Sequence, residues 1–355
     1  MTRSSADLSV YSQAADICAA IDLGTVTSRL LVARVDAGDT GPSANKKVRN
    51  IEPLAYKKAI SIEPLARKTI ITHMGENLAQ TGRISDLALE RVVKAVHEFK
   101  EIIVEVRDEF DQGDVKVRAV ATSAMRDASN SAEVIRQLDE QGLKVEIITG
   151  EQEAELSFLG TLSGFPLERP IKSRTVVTID VGGGSTEIII GEQGFDLSGS
   201  QKLLIKQAIS FDIGSRRVTD LYLHEDPPAE HEMRRARDWI VTQTASFFRS
   251  FDEKPEMVLA VAGVPTTVVS MLKMMKVYNP ELVHGTVVSL QELDTVMNKI
   301  ESVPLRVRRE LVGLNPERAS VIVGGCLVFR CMLEELGVES FVVSETDILQ
   351  GILLS

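Results

Sequence analysis

The chain has 355 residues, of which 44% are hydrophobic and 26% are charged, and this composition predicts a globular protein with room for two domains. Its net charge of −11 argues against a nucleic-acid-binding surface, and no apolar run reaches the roughly 20 residues that a membrane span requires. Three cysteines without disulfide or metal-ligand spacing, and a polar N-terminus without the apolar core of a signal peptide, predict a cytoplasmic protein.

Periodicity and turn chemistry predict alternating strands and helices in the first half of the chain. Residues 1–16 are predicted to be a flexible extension, and a β-rich segment follows from Cys18 to about Thr72. The other elements of this half are a Ser85-capped helix to about Phe110, strands at 115–122 and 145–149, and helices at 132–140 and 151–160. Because a proline-containing turn follows, we expect domain I to span residues 17–160.

The second half opens on strands that flank a glycine-rich turn and then alternates strands and helices again. Its predicted elements are a helix at 230–251, a strand at 257–261, several helices between 266 and 336, a strand at 340–343 and a short terminal helix. Strands that open each half before such an alternation indicate an α/β protein. Domain II is expected to span residues 161–355, with a terminal helix able to pack back on domain I.

The glycine-rich turn is the strongest chemical signal in the sequence. It reads Asp180-Val181-Gly182-Gly183-Gly184-Ser185-Thr186-Glu187 between two β-branched runs, which predicts a tight strand–turn–strand hairpin. Consecutive glycines leave backbone N–H groups free to converge on an anion such as phosphate. A shorter copy, Asp22-Leu23-Gly24-Thr25, lies between apolar runs near the start of the chain. The sequence therefore predicts two related halves that face each other across a phosphate-binding cleft.

Several other short motifs accompany the two hairpins. They are ATSAMRDASN at 121–130, ITGEQEAEL at 148–156, IGSRRVT at 213–219, AGVPTT at 262–267 and VSETDILQGI at 343–352. In this order the motifs resemble those of the exopolyphosphatase/guanosine pentaphosphate phosphatase family, within the actin-like, sugar-kinase-like and Hsp70-like ATPase superfamily. The resemblance covers about residues 17–355. It implies two actin-like (ribonuclease H-like) α/β domains with the active site in the cleft between them.

The resemblance also implies roles for individual acids. Glu153 would be the general base that activates the water attacking the terminal phosphorus, with Glu187 as a second catalytic acid and Arg126 as a phosphate-contacting cation. Asp22 and Asp180 would bind Mg²⁺ directly or through water, because Mg²⁺ usually combines one or two carboxylates with substrate phosphates. An acidic first helical turn and turn-capping aspartates would explain the same residues without catalysis.

The two hairpin turns are expected to hold the phosphoryl group from opposite sides. On the family's pattern the phosphate-binding set is Gly24, Thr25, Arg29, Gly182, Gly183, Gly184, Ser185 and Thr186. A basic set in the first half is interpreted equally well as a track for a polyanion and as a solvated loop. It consists of Lys46, Lys47, Arg49, Lys57, Lys58, Arg67 and Lys68.

The sequence departs from the family pattern at several positions. Val26 stands where asparagine is frequent, which removes a hydrogen-bonding group, and His73 stands where arginine is usual. Pro265 lies in the segment that resembles the superfamily's adenosine motif. We therefore expect a structural turn at Pro265 rather than a nucleotide site.

These features together predict Mg²⁺-dependent hydrolysis of the terminal phosphoanhydride of inorganic polyphosphate, with a preference for short chains. The alternatives are a guanosine pentaphosphate 5′-phosphohydrolase that uses the same residues, an ATP-dependent kinase of the superfamily, and a non-catalytic module that binds guanosine tetraphosphate. Polyphosphate is the expected partner, with guanosine penta- or tetraphosphate as substrate or inhibitor, and neither nucleic acid nor a membrane is expected. A homodimer is expected because symmetric dimers are common among soluble enzymes.

Overall fold

A computed structural model describes residues 16–36, 54–55, 61–111, 113–168, 171, 173–195, 201–251 and 254–355. The strands are β1 (Asp16–Leu23), β2 (Thr27–Asp36), β3 (Leu54–Ala55), β4 (Ser61–Ile71), β5 (Lys116–Ala121), β6 (Val145–Ile147), β7 (Ser173–Val181), β8 (Thr186–Phe195), β9 (Gln201–Phe211), β10 (Met257–Val261), β11 (Val287–Ser289) and β12 (Ser340–Val343). The helices are α1 (Leu78–Thr81), α2 (Asp86–Glu109), α3 (Ser123–Asp127), α4 (Ser131–Glu140), α5 (Gly150–Ser163), α6 (Ser215–Tyr222), α7 (Glu230–Arg249), α8 (Gly263–Leu272), α9 (Pro280–Val283), α10 (Leu290–Glu301), α11 (Leu305–Arg308), α12 (Ile322–Glu335) and α13 (Ile348–Leu354).

The two β-sheets of the molecule repeat one topology. The five-stranded sheet has the order β4-β2-β1-β5-β6, and the seven-stranded sheet has the order β11-β12-β10-β7-β8-β9-β3. β1 pairs antiparallel with β2 and parallel with β5, and β7 pairs in the same way with β8 and β10. This shared order confirms the two related halves that the duplicated hairpin predicts. The short strand β3 departs from a simple division, because it lies early in the chain but joins the edge of the second sheet.

Local sequence accounts for several helix boundaries. The Ser85 side chain accepts a hydrogen bond from the Ala88 N–H and starts α2, whose apolar face packs on the first sheet. Thr149 and Gln152 form a reciprocal capping box at the start of α5. The strands at 257–261 and 340–343 occur as predicted, and the predicted extension lies outside the described residues apart from Asp16, which begins β1.

The terminal helix α13 packs against α5 and against β1 of the first sheet. Its residues Ile348, Leu349 and Ile352 are buried in a cluster with Leu31 and Leu156. The two helices approach backbone to backbone: a Cβ on Gly351 would lie 1.9 Å from the Leu156 carbonyl oxygen. α13 therefore joins the end of the second half to the first half of the chain. No helix among the described residues is long and apolar enough to cross a membrane.

Candidate active site

The two hairpin turns line one cleft of about 980 Å³. The β1–β2 turn contributes Gly24 and Thr25, and the β7–β8 turn contributes Gly182 to Ser185. Asp22, Asp180 and Glu153 line the same cleft. The structure thus brings together, from both halves, the phosphate-binding turns and three of the predicted carboxylates.

Both turns are closed by the same hydrogen bond. The Gly24 N–H donates to the Thr27 carbonyl oxygen at 2.9 Å, and the Gly182 N–H donates to the Ser185 carbonyl oxygen at 3.0 Å. The carbonyl oxygens of Gly182 and Gly183 accept from the first turn of α6.

This pattern leaves other backbone donors of the turns unused. Within the described ranges, the N–H groups of Thr25, Val26, Gly183 and Gly184 have no backbone acceptor. Because buried N–H groups normally have a partner, the two turns present donors for an anion in the cleft.

Close contact between the turns explains the need for glycine at their tips. A Cβ on Gly183 would lie 2.5 Å from Val26 Cγ2, and a Cβ on Gly184 would lie 2.4 Å from Ser123 Oγ. Val26 is buried against Ile71 and Val321, one from each half of the chain. The valine that departs from the family pattern therefore contributes an apolar contact between the halves where asparagine would offer a hydrogen bond.

Asp22 and Arg29 form a buried ion pair that a third residue extends. Arg29 Nη2 lies 2.6 Å from Asp22 Oδ2, and Arg29 Nη1 lies 2.6 Å from Asp347 Oδ2. Burial raises the pKa of the Asp22 carboxyl, while the positive charge of Arg29 opposes that rise. The arginine that the motif assigns to phosphate binding is thus shared between two aspartates. No role was predicted for Asp347, although it lies in the motif at 343–352.

Asp180 occupies the corresponding position in the second half. Ser157 Oγ of α5 donates a hydrogen bond of 2.8 Å to Asp180 Oδ2. Burial raises the pKa of Asp180 to about 6, against the lowering effect of Arg29 and of the Ser157 hydroxyl. The negative charges of Asp347 and Asp22 add to the rise. Two buried acids with raised pKa values favour a cation between them and the substrate.

The donor set fits a metal ion that is completed by water and phosphate. Asp22 Oδ1 is buried and has no hydrogen-bond partner. In the part of the chain that the structure describes, no group of three or more His, Cys, Asp or Glu side chains is arranged to hold a metal by itself. Oxygen ligands from one or two carboxylates suit a hard divalent cation that keeps several waters.

Glu153 lies in the first turn of α5 and is paired with Arg126. Arg126 Nη1 lies 2.7 Å from Glu153 Oε2 and also donates to the Ile148 carbonyl oxygen at 3.0 Å. Burial raises the pKa of Glu153 to about 7, although Arg126 opposes the rise; the charges of Asp22 and Asp180 add to it. A carboxyl with a pKa near neutrality is suited to accept a proton at neutral pH. In this geometry Arg126 acts on the glutamate.

Glu187 is buried beside Glu153 and Asp180. The Ser210 hydroxyl donates to Glu187 Oε1 at 2.6 Å. Burial, followed by the charges of Glu153 and Asp180, raises the pKa of Glu187 well above its usual range. The neighbouring Thr186 is fully buried, and its hydroxyl donates to the Ile213 carbonyl oxygen at 2.5 Å, so that hydroxyl supports the turn from behind.

Other predicted features lie near the cleft in roles that the sequence did not indicate. Arg67 of the basic set forms ion pairs with Glu345 at 3.1 Å and with Asp347 at 3.4 Å. Lys68 pairs with Glu98, and the other members of the set lie outside the described residues.

The segment with Pro265 begins helix α8 at Gly263, so the predicted turn there is wrong, because proline fits the first turn of a helix.

The cleft continues past the turns along the second half. Arg318 and Lys276 line this part, and neither forms an ion pair with a carboxylate in the described chain. Arg318 Nη1 donates to the Gly263 carbonyl oxygen at 3.2 Å, and burial lowers its pKa. These two cations are available to an anionic ligand that extends from the turns.

Comparison with known proteins identifies the family. The profile of the Ppx/GppA phosphatase family matches residues 54–355. The chain is 32% identical over 349 residues to Exopolyphosphatase 2 of Mycobacterium tuberculosis, covering 95% of this chain and 97% of that protein. It is 30% identical over 343 residues to the Bifunctional 3-dehydroquinate synthase/phosphatase of Fusobacterium nucleatum, covering 95% of this chain but only 46% of that protein. The chain thus spans about half the length of that relative.

A solved structure extends the similarity to the fold. The Aquifex aeolicus member of the Ppx/GppA protein family is 25% identical, with a TM-score of 0.69 and coverage of 96% of each chain. This similarity confirms the predicted fold of two actin-like α/β halves. The chain belongs to the Ppx/GppA phosphatase family.

Proposed function

We propose that the chain is an exopolyphosphatase, which hydrolyses the terminal phosphoanhydride of inorganic polyphosphate and releases orthophosphate. The observation that carries the proposal is the position of Glu153, a buried carboxyl with a pKa of about 7, in the same cleft as two turns with unused N–H donors. Such a cleft supplies both requirements of phosphoryl transfer to water, a base and neutralisation of charge.

Backbone N–H groups and acidic side chains of the cleft have separate roles in the proposed hydrolysis. Backbone N–H groups of Thr25, Gly183 and Gly184 hold the oxygens of the terminal phosphoryl group. Glu153 accepts a proton from the attacking water, and Arg126 favours the ionised form of the glutamate and fixes its orientation. Glu187 adds a second acid beside Glu153 that orients the same water.

Ppx/GppA phosphatases generally depend on a divalent metal, and we propose Mg²⁺ here. Asp22 and Asp180 would hold it, with Asp22 Oδ1 free to serve as a ligand. Bound Mg²⁺ would neutralise charge on the phosphates, as in other phosphoryl-transfer sites.

The substrate chain beyond the terminal phosphate lies along Arg318 and Lys276 in this proposal. Among the described residues, they are the two cations of the cleft without an ion pair, which supports a preference for short polyphosphate. The same cleft residues would serve a guanosine pentaphosphate, but no feature of the described cleft favours a nucleotide over a polyphosphate chain. The two substrates therefore belong in one experiment.

The test is release of orthophosphate from polyphosphate of defined lengths and from guanosine pentaphosphate, with Mg²⁺ and with EDTA. Glu153→Gln is expected to lower the rate on polyphosphate by roughly 10²- to 10⁴-fold, the usual contribution of a general base. Glu155→Gln, an exposed neighbour on the same helix, is the matched control and should retain full activity.

Equal rates for Glu153→Gln and the unaltered protein would contradict the mechanism. A higher kcat/KM on guanosine pentaphosphate than on any polyphosphate would replace the proposed substrate. Rising kcat/KM with chain length, up to very long chains, would contradict the preference for short ones.

A further inference from the structure

A second cavity, of about 220 Å³, adjoins the cleft. Thr25 and Gly184, from the two turns, line both spaces. The rest of the smaller cavity is formed mainly by helices α1, α3 and α6. No step of the proposed hydrolysis uses it.

Three unpartnered polar atoms belong to residues that line this cavity. They are Ser123 Oγ, Arg216 Nε and Asp220 Oδ2, and each is buried without a hydrogen bond. Only two other side-chain atoms of the described residues share that condition, and one of them is the candidate metal ligand Asp22 Oδ1. Ser123 is 2% exposed and Arg216 is 8% exposed. Because an unsatisfied buried polar group is costly, three around one cavity indicate a ligand.

The Arg216 guanidinium is held by its other two nitrogens. Nη2 donates to His73 Nδ1 at 2.9 Å, and Nη1 lies 3.5 Å from Asp220 Oδ1. Burial and the charge of Arg216 lower the pKa of His73 to about 4, so the imidazole is neutral and accepts this hydrogen bond. The histidine that replaces the family's usual arginine therefore orients another arginine from the other half of the chain.

Arg217 closes a side of the same cavity. Its Nε donates to the Gly184 carbonyl oxygen at 2.9 Å, and its guanidinium pairs with Asp127 of α3. Since Gly184 and Asp127 belong to opposite halves, this pair ties the glycine turn to the first half beside the cavity. Two of the three guanidinium nitrogens of Arg217 are thus already bonded to the protein.

The free atoms define the chemistry of a ligand. Ser123 Oγ and Arg216 Nε offer donors, whereas Asp220 Oδ2 requires one. A tetrahedral oxyanion that still carries a proton satisfies all three, because its oxygens accept and its O–H donates. Orthophosphate near neutral pH has that form, whereas sulfate does not. The volume allows such an anion together with waters, each of which occupies about 30 Å³ in the liquid.

We propose that this cavity is a second binding site for orthophosphate, next to the cleft and separated from it by Thr25 and Gly184. The identification of the anion as the released product rests on the proposed function. The chemistry of the cavity does not, and it is tested without turnover.

Crystals grown with arsenate or with selenate provide the test. Arsenate keeps a proton near neutral pH and selenate does not, and both give an anomalous signal. An arsenate peak against Ser123 Oγ and Arg216 Nε, with no selenate peak there, is expected. Water alone in the cavity, or equal occupancy by selenate, would overturn the proposal.

Binding in solution supplies an independent measurement. Equilibrium dialysis with radiolabelled orthophosphate, run on Glu153→Gln protein in EDTA so that added polyphosphate is not hydrolysed, should find one site that short polyphosphate displaces and one that it does not. Ser123→Ala and, separately, Arg216→Lys should weaken the second site by roughly tenfold or more, as expected for a lost hydrogen bond to an anion. Ser131→Ala, which removes a hydroxyl outside the cavity, is the matched control.

The outcomes separate the two proposals. Release of orthophosphate from polyphosphate by a chain with a single orthophosphate site would leave the function standing and refute the second site. A filled second site in a chain that releases no orthophosphate would do the reverse. Unchanged affinity in both Ser123→Ala and Arg216→Lys would refute the assignment of the site to this cavity.

Discussion

The ion pair between Arg126 and Glu153 predicts how activity depends on pH. Their atoms Nη1 and Oε2 are 2.7 Å apart, and burial raises the pKa of Glu153 to about 7 in spite of the arginine. An opposite charge at such a distance typically lowers a carboxyl pKa by about 1–3 units. Arg126→Met removes that charge, so the pKa of Glu153 should rise to roughly 8–10.

The sign and size of the effect on the rate follow from the ionised fraction of the base. A general base acts in its ionised form, which is about half of the protein at pH 7 when the pKa is 7. If the pKa of Glu153 rises by roughly one to three units, the ionised fraction at pH 7, and hence kcat/KM at that pH, falls by roughly 5- to 500-fold. Above the new pKa the fraction recovers. Arg126→Met should therefore be slow at pH 7 and substantially restored at high pH.

The assay is kcat/KM for orthophosphate release from short polyphosphate between pH 5 and pH 10 at saturating Mg²⁺. Arg126→Lys, which keeps the charge, is the control and should keep the acid limb near its position in the unaltered protein. Glu153→Gln should show no such limb. If Arg126→Met lowers kcat/KM by one constant factor at every pH, the arginine does not act through Glu153 and the reasoning is refuted.

Three further predictions concern the turns and the helix contact. The pKa of Asp180 rises from 3.8 to about 6, which corresponds to about 3 kcal/mol. The protonated Asp180 therefore contributes about that amount to the free energy of unfolding below pH 3.8, and the contribution is lost as the pH rises through 6. Asp180→Asn should therefore stabilise the metal-free protein by about that amount in denaturant titrations at pH 8 and not at pH 4; equal effects at both would contradict the assignment. Gly351→Ala places a Cβ 1.9 Å from the Leu156 carbonyl oxygen and should cost about 1–3 kcal/mol, visible as a lower Tm; an unchanged Tm would show that the helices separate freely. Gly183→Ala should lower activity because its Cβ meets Val26 Cγ2 at 2.5 Å and Thr25 Cβ at 2.8 Å. Adding Val26→Ala removes the closer contact and should restore part of the activity, whereas no rescue would place the damage at Thr25 or elsewhere.

Features that depend on neighbouring residues were predictable from the sequence. The glycine turn, the Ser85 cap and the strand at 257–261 each follow from a few adjacent residues, and each occurs in the structure. Helix α6 was not predicted because eight residues give little helical periodicity. Strand β9 was not predicted either, although the Asp-Leu-Ser-Gly-Ser run at 196–200 is a turn signal directly before it. The repeated hairpin was the sequence feature from which the related topology of the two sheets could be predicted.

Pairings across the chain were beyond the sequence. Arg29 meets Asp347, which lies 318 residues further along, and no local pattern reports that distance. Arg126 was predicted as a phosphate contact from its motif, whereas the structure places it on Glu153. The cavity beside the turns also depends on three helices that meet only in the fold, so its unsatisfied atoms leave no trace in the sequence.

The backbone contact between α5 and α13 has a mechanical consequence. α5 carries Glu153, which is the proposed base, and Ser157, which donates a hydrogen bond to Asp180. α13 begins directly after Asp347, which pairs with Arg29. This one helix crossing therefore connects Glu153, Ser157 and Asp347. Glycines at the crossing place the two helix backbones in direct contact. If the two halves rotate relative to each other, residues near this crossing move less than residues far from it. The groups that must stay aligned for chemistry lie near the crossing, whereas the turns that bind and release phosphate lie farther from it.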